Sequence, residues 1–187
     1  MIKITLPDGS VKEFASGVTP MEVAKSISEG FARNVISASF NGTTVETTTP
    51  LTTDGSLILY TWNDEDGKKA FWHSTSHVMA QVLEQMYPGI KLTLGPAIAN
   101  GFYYDVDFEE HKITEADFKK IEDRVLEISR GKHEFKLRPV SKADALELYK
   151  DNVYKTEMIT NLEDGTITFC DHDTFTDLCR GGHIPNT

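Results

Sequence analysis

Cysteine is scarce in this chain of 187 residues, where only Cys170 and Cys179 occur. Two thiols cannot build a disulfide framework, and a reducing, cytoplasmic setting is expected. Apolar runs are short. None approaches the ~18 residues of a membrane span, and "MIKITLPDGS" lacks the apolar stretch of a secretory leader. Positive charge is in the minority, with 19 Lys and Arg against 29 Asp and Glu and a net charge of -10. That balance argues against non-specific coating of nucleic acid, although it leaves room for a local basic patch. No internal repeat or low-complexity segment is present. With 39% hydrophobic and 26% charged residues the chain reads as globular, and its length suits one large domain or two small ones.

The first part of the chain reads as a unit of its own. Ile2, Ile4 and Leu6 alternate with polar residues as on a half-buried strand. "PDGS" supplies a turn, and Val11 to Phe14 returns as a second strand. Thr19 and Pro20 open a helix, with Thr19 as cap and Glu22 completing a capping box. Val23, Ala24 and Ile27 form its buried stripe, and Gly30 ends it. Strands are expected at "VISASF" and "TTVET" on either side of Asn41-Gly42, and at "SLILYT". The order ββαβββ predicts a small β-grasp domain over residues 1–62.

"NDEDGKK" marks a boundary. Residues 1–62 hold four Lys and Arg against six Asp and Glu, and residues 63–187 hold fifteen against twenty-three. The second part predicts a helix from Ala70 to Tyr87, stopped by Pro88-Gly89. Strands follow at "IKLTL" and "GFYYDVDF". A second helix is capped by Thr114 and Asp117, with a stripe of Phe118, Ile121, Val125 and Ile128. "HEFKLRPV" reads as strand, Ser141 with Asp144 opens a third helix, and "TITFCDH" reads as a further strand. The whole is α+β, a β-grasp unit followed by a mixed α/β domain.

The chemistry concentrates in "HSTSH" and "DLCRGGH". His73 and His77 are four apart and share one helical face. Cys179 and His183 are also four apart, but the glycines between them favour a loop. The four together offer the nitrogen and sulfur donors that tetrahedral zinc uses. About 100 residues separate the pairs, too many for a small zinc finger and suited to a site assembled from distant elements. Each pair alone is ordinary, because a helical His pair is often solvated and a Cys near a turn is often a small buried hydrophobe. Asp177, two residues before Cys179 on the same loop, can orient an imidazole or take a substrate hydroxyl. Lys155, in "NVYKTEM", can position water or stabilise an oxyanion if it lies in a pocket, although most helix lysines are solvated. Cys170 reads as core, and His111 and His133 as solvated. Two readings stay open on this chemistry. One is a zinc-stabilised binding module without hydrolysis. The other is a hydrolytic site that aims water at an ester or amide.

The stretch "HSTSHVMAQVLEQMYPGIKLTLGPAIANGFYYDVD", with "YKTE" and "DLCRGGHIPN", resembles the N-terminal region of bacterial threonyl-tRNA synthetases. The "ITLPDGS" opening is similar to the TGS domain of the same family, so the resemblance spans essentially the whole chain. The paired motifs are also similar to those of alanyl-tRNA synthetase editing domains. The resemblance implies a TGS-like domain over 1–62 and an editing domain over 63–187, with completing elements expected beyond Thr187. It implies hydrolysis of seryl-tRNA(Thr) formed by mistake. His73, His77, Lys155, Asp177, Cys179 and His183 match the editing-site motif, and Tyr104 and Arg180 are the implied substrate contacts. No metal is expected at the site, zinc on His73, His77, Cys179 and His183 being the alternative. ATP, magnesium and a further zinc belong to a catalytic domain that this chain lacks. The implied partner is tRNA(Thr) carrying serine, with no membrane. A homodimer is expected of the longer parent and a monomer of this chain. Gly182 stands where many of these relatives carry proline, which loosens the loop around His183. Eight Lys and Arg between Lys119 and Lys142 offer a phosphate-binding surface. Lys119, Lys120 and Arg124 are at least as well placed to pair with neighbouring acids on a solvated helix face.

Overall fold

The computed structural model describes residues 1–187. By its contacts the chain divides into two units, Met1–Phe71 with Gly181–Pro185, and Trp72–Arg180 with Asn186–Thr187.

In the first unit β1 (Ile2–Thr5) and β2 (Val11–Phe14) pair antiparallel, Ile2 opposite Phe14. Their turn is closed by Leu6 N–H donating to the Ser10 carbonyl at 2.9 Å and passes through Gly9 at φ +82°. α1 (Pro20–Ile27) starts on the expected capping box. Glu22 N–H donates to Thr19 Oγ1 at 3.2 Å, and Thr19 N–H donates to Glu22 Oε2 at 2.8 Å. Its end differs from the expectation. Ser28 adopts an extended conformation, stops α1, and accepts the Phe31 N–H at 2.9 Å to start α2 (Glu29–Ala32). A hydroxyl cap therefore sets the boundary. Gly30 lies inside α2, and Ile27 is exposed rather than part of the stripe.

β3 (Val35–Phe40) and β4 (Thr43–Val45) turn through Asn41 at φ 50° and Gly42 at φ 80°. Both signs are those an Asn-Gly hairpin turn requires. With β5 (Gly55–Thr61) the sheet order is β2-β1-β5-β3-β4. β1 and β5 run parallel, and every other pairing is antiparallel, as a β-grasp sheet demands. Ile4, Val23, Leu51 and Leu57 meet beneath it. Full burial of such a side chain contributes about 1.5–3 kcal/mol, which makes this cluster the main hold on the unit.

α3 (Glu65–Met86) begins five residues ahead of the expected Ala70. The acids of "NDEDGKK" suit the positive end of a helix, so that charged stretch is largely helical. Gly89, at φ +90°, turns the chain out after it. In the second unit β6 (Lys91–Leu92), β7 (Ala97–Ile98), β8 (Gly101–Phe102) and β9 (Val106–Asp107) are two-residue strands. β6 pairs with β9 and β7 with β8, both antiparallel. Neither "IKLTL" nor "GFYYDVDF" is one continuous strand. Thr93 N–H donates to the Asp105 carbonyl at 2.9 Å and Asp105 N–H to the Leu94 carbonyl at 2.8 Å, continuing the pairing irregularly past Tyr104.

α4 (Glu115–Ser129) starts at the predicted Thr114–Asp117 box. Its buried stripe begins at Ile121, because Phe118 is exposed. β10 (Lys136–Pro139), α5 (Lys142–Leu148), α6 (Val153–Thr160), β11 (Thr168–His172) and β12 (Phe175–Leu178) complete the unit. The three strands form an antiparallel sheet in the order β10-β11-β12. Ala145, Ile159, Ile167 and Phe169 make a core with α5 and α6.

Candidate hydrolytic site

Three elements of the second unit carry the site. The "HSTSH" segment of α3 presents His73 and His77 one turn apart, their rings edge to face at 4.7 Å between centroids. Ser76, between them, shares its one hydroxyl proton between the His73 carbonyl at 2.7 Å and the Gly95 carbonyl at 2.8 Å. That second bond ties "LGPAIANG" to the helix. Gly95 is a packing requirement, since a Cβ there would sit 2.2 Å from Tyr104 Cδ2. The absent side chain is where the Tyr104 ring lies.

Asp177 is the hub. It sits on β12, not on the loop with Cys179 as its spacing suggested, and strand alternation turns it inward beside Phe175. Oδ1 pairs with the Lys155 ammonium. Oδ2 accepts the Tyr104 hydroxyl at 2.5 Å and lies 3.1 Å from His77 Nδ1. Burial alone would raise this carboxyl, but Lys155 and His77 outweigh it and hold it well below the ordinary range. Lys155 is not a solvated helix lysine. Only 2% of it is exposed, and its ammonium lies 5.2 Å from the Tyr149 ring centroid. Asn152 fixes the start of α6 by accepting the Lys155 N–H at 3.1 Å while its amide donates to the Leu92 carbonyl at 2.8 Å.

The polar chain continues from His77. Its Nε2 is 3.4 Å from His73 Nε2, which is 3.0 Å from Cys179 Sγ. Burial would lower the His77 imidazole, yet Asp177 and then Cys179 hold it above its usual value. Burial and the Asp177 charge push the Tyr104 phenol far up, so it stays a donor. Cys179 is fixed where its N–H donates to the Thr168 carbonyl at 3.1 Å.

The ligating atoms of His73, His77 and Cys179 lie within 4.8 Å of one another. Tetrahedral zinc would separate two imidazole nitrogens by about 3.3 Å and a nitrogen from a sulfur by about 3.6 Å. The two imidazoles already match that spacing, and the His73–Cys179 contact is at hydrogen-bond length. Asp177 behind His77 Nδ1 is the outer partner that a metal-binding imidazole usually has. These side chains are therefore able to hold a zinc ion after a small shift of Cys179.

The structure thus joins Tyr104, Lys155, Asp177, His77, His73 and Cys179 in one hydrogen-bonded and ion-paired chain. Arg180 is exposed. His183 is buried in the first unit, where Glu46 holds it. Sequence reasoning missed Glu46, Ser76, Gly95 and Asn152. Only Asn152 and Gly95 left a local signal, a cap position and a glycine before proline.

Residues 2–61 match the TGS domain family. Along its whole length the chain is 86% identical to the threonine–tRNA ligase of Flavobacterium johnsoniae and 84% identical to that of Flavobacterium psychrophilum. It is 52% identical to that of Parabacteroides distasonis. The chain belongs with the N-terminal region of threonine–tRNA ligases. It spans 29% of the length of each of these relatives. The β-grasp sheet is the part that matches the TGS domain, and the buried chain of polar residues lies outside that match. No helix is long and apolar enough to cross a membrane.

Proposed function

We propose that residues 63–187 act as a proofreading domain that hydrolyses seryl-tRNA(Thr), and that residues 1–62 form its TGS companion. The observation that supports this best is the run of contacts from Lys155 through Asp177 and His77 to His73. His73 alone of these four is partly exposed, and a general base must meet water. His73 takes a proton from water as the oxygen attacks the seryl carbonyl. The ester C–O bond then breaks, and the terminal ribose hydroxyl leaves with a proton, releasing serine. Asp177 holds Lys155, Tyr104 and His77 in register. Lys155 supplies positive charge for the oxyanion, and the Tyr104 phenol stays a hydrogen-bond donor. By the sequence motif Cys179, His183 and Arg180 belong to the same reading as contacts to serine and ribose.

The chemical need is a second sieve. Serine lacks one methyl of threonine, a difference worth only about 1–3 kcal/mol in a single pocket. In the longer protein, ligation of threonine to tRNA with ATP, magnesium and zinc falls to a catalytic domain outside this chain. That protein works in the cytoplasm as a homodimer. Hydrolysis here is metal-free, because the Lys155 cation close to the imidazoles disfavours a dication.

The test is deacylation of seryl- and threonyl-tRNA(Thr) by the 187-residue chain, with and without a chelator. Seryl-tRNA is hydrolysed faster, the chelator changes nothing, and His73→Ala abolishes the rate. Hydrolysis of neither ester, or an unchanged rate in His73→Ala, refutes the proposal. Stoichiometric zinc that is lost in Cys179→Ala together with activity refutes its metal-free part.

A further inference from the structure

We propose that Glu46, within the TGS-matched residues, is a positioning residue that sets the orientation and tautomer of His183. This rests on the reading of His183 as part of the hydrolytic motif. Glu46 follows β4 and is buried, and His183 is only 1% exposed. One carboxylate takes three donors from the glycine-rich segment. Gly182 N–H donates to Oε1 at 3.1 Å, and His183 N–H donates to Oε2 at 3.2 Å. His183 Nδ1 lies 3.0 Å from Oε1. Backbone N–H groups already use both oxygens as acceptors, so Oε1 accepts from the ring as well and Nδ1 carries the proton. The neutral ring then keeps its lone pair on Nε2, the nitrogen on the far side from Glu46.

The arrangement needs Gly182. Its φ is +90°, and its N–H is one of the three donors. Proline offers neither a positive φ nor an N–H. Two consecutive glycines leave a loop with many conformations, and the three-point grip selects one. Glu46 is itself held within the β-grasp unit. Its carbonyl accepts the Thr49 N–H at 3.0 Å, and the next carbonyl, of Thr47, accepts the Met21 N–H of α1 at 3.0 Å. The TGS-matched domain thus supplies the rigidity that Gly181 and Gly182 lack.

The test compares the 187-residue chain with Glu46→Ala and Glu46→Asp, each checked for a cooperative thermal transition. Ring 15N signals of His183, assigned by their loss in His183→Ala, report the tautomer. The unsubstituted chain shows the Nδ1–H form. Glu46→Ala moves toward the Nε2–H form and loses about 10–100-fold in deacylation kcat, with KM within about twofold, as removal of an orienting partner does. Glu46→Asp restores part of both. An Nε2–H ring in the unsubstituted chain overturns the proposal, even if Glu46→Ala fails to fold. So does a folded Glu46→Ala with the original tautomer and rate. If the unsubstituted chain deacylates nothing, the hydrolytic reading fails, and the tautomer measurement still decides the role of Glu46.

Discussion

Replacing Lys155 by Met keeps most of the side-chain volume and removes the charge. The ammonium and the Asp177 carboxylate are each only 2% exposed and are paired directly. Removing one partner of such a pair strands the other charge in a dry interior, at a cost of about 3–5 kcal/mol. Asp177 would keep Tyr104 and His77, which places Lys155→Met at the lower end, about 3 kcal/mol. Asp177→Asn leaves the ammonium unpaired and should cost about as much. The double variant removes both charges together and should recover much of the loss, giving a coupling of about 2–3 kcal/mol. Urea unfolding followed by Trp72 fluorescence in a Trp62→Phe background reads the second unit, since these are the only two tryptophans. With a urea slope of about 1–3 kcal/mol per molar, the midpoint of Lys155→Met falls by about 1–3 M. A loss under about 0.5 kcal/mol, or singles that simply add in the double variant, would show that the pair is neither dry nor coupled.

Gly95→Ala places a methyl 2.2 Å from Tyr104 Cδ2. The ring must move, at about 1–3 kcal/mol, and the Tyr104–Asp177 hydrogen bond lengthens. The Tyr104 ring signals in NMR should shift, and an unchanged spectrum contradicts the packing described. Gly182→Pro removes a donor to the Glu46 carboxylate and forbids φ +90°, costing about 1.5–3 kcal/mol for the charged hydrogen bond alone. A melting temperature equal to that of the unsubstituted chain would refute this. Asp177 has a folded pKa held below its unfolded value near 3.9, so its contribution is complete above about pH 4–5. The stabilisation declines as pH falls below that unfolded value and is gone once pH has passed the lowered folded value. Urea midpoints between pH 5 and pH 2 should therefore drop less steeply in Asp177→Asn, and equal slopes would refute the shift.

Local chemistry was legible where neighbours in sequence are also neighbours in space. The Thr19–Glu22 box, the Asn41-Gly42 turn and the β-grasp alternation all depend on residues within a few positions of one another. The Ser28 cap defeated the Gly30 reading because two helix ends competed within three residues. "GFYYDVDF" alternates like a strand, yet Tyr104 leaves the ladder to cover Gly95, nine residues earlier. The paired motifs picked out side chains that the fold brings into contact, but their spacing could not say that Asp177 lies on β12 or that Lys155 is buried.

The sequence by itself determined the β-grasp order, the starts of α1, α4 and α5, and the histidine face of α3, because backbone periodicity and capping are short-range. Its resemblance to threonyl-tRNA synthetases also picked out Tyr104, Lys155, Asp177, His77, His73 and Cys179, which the structure brings into contact. Tertiary structure alone decided that Lys155 is an ion-pair partner and not a solvated lysine, since its counter-charge comes from a strand 22 residues away. It also decided the hold of Glu46 on His183, across 137 residues. Burial makes both contacts strong, and burial is a property of the packed chain that no local pattern encodes.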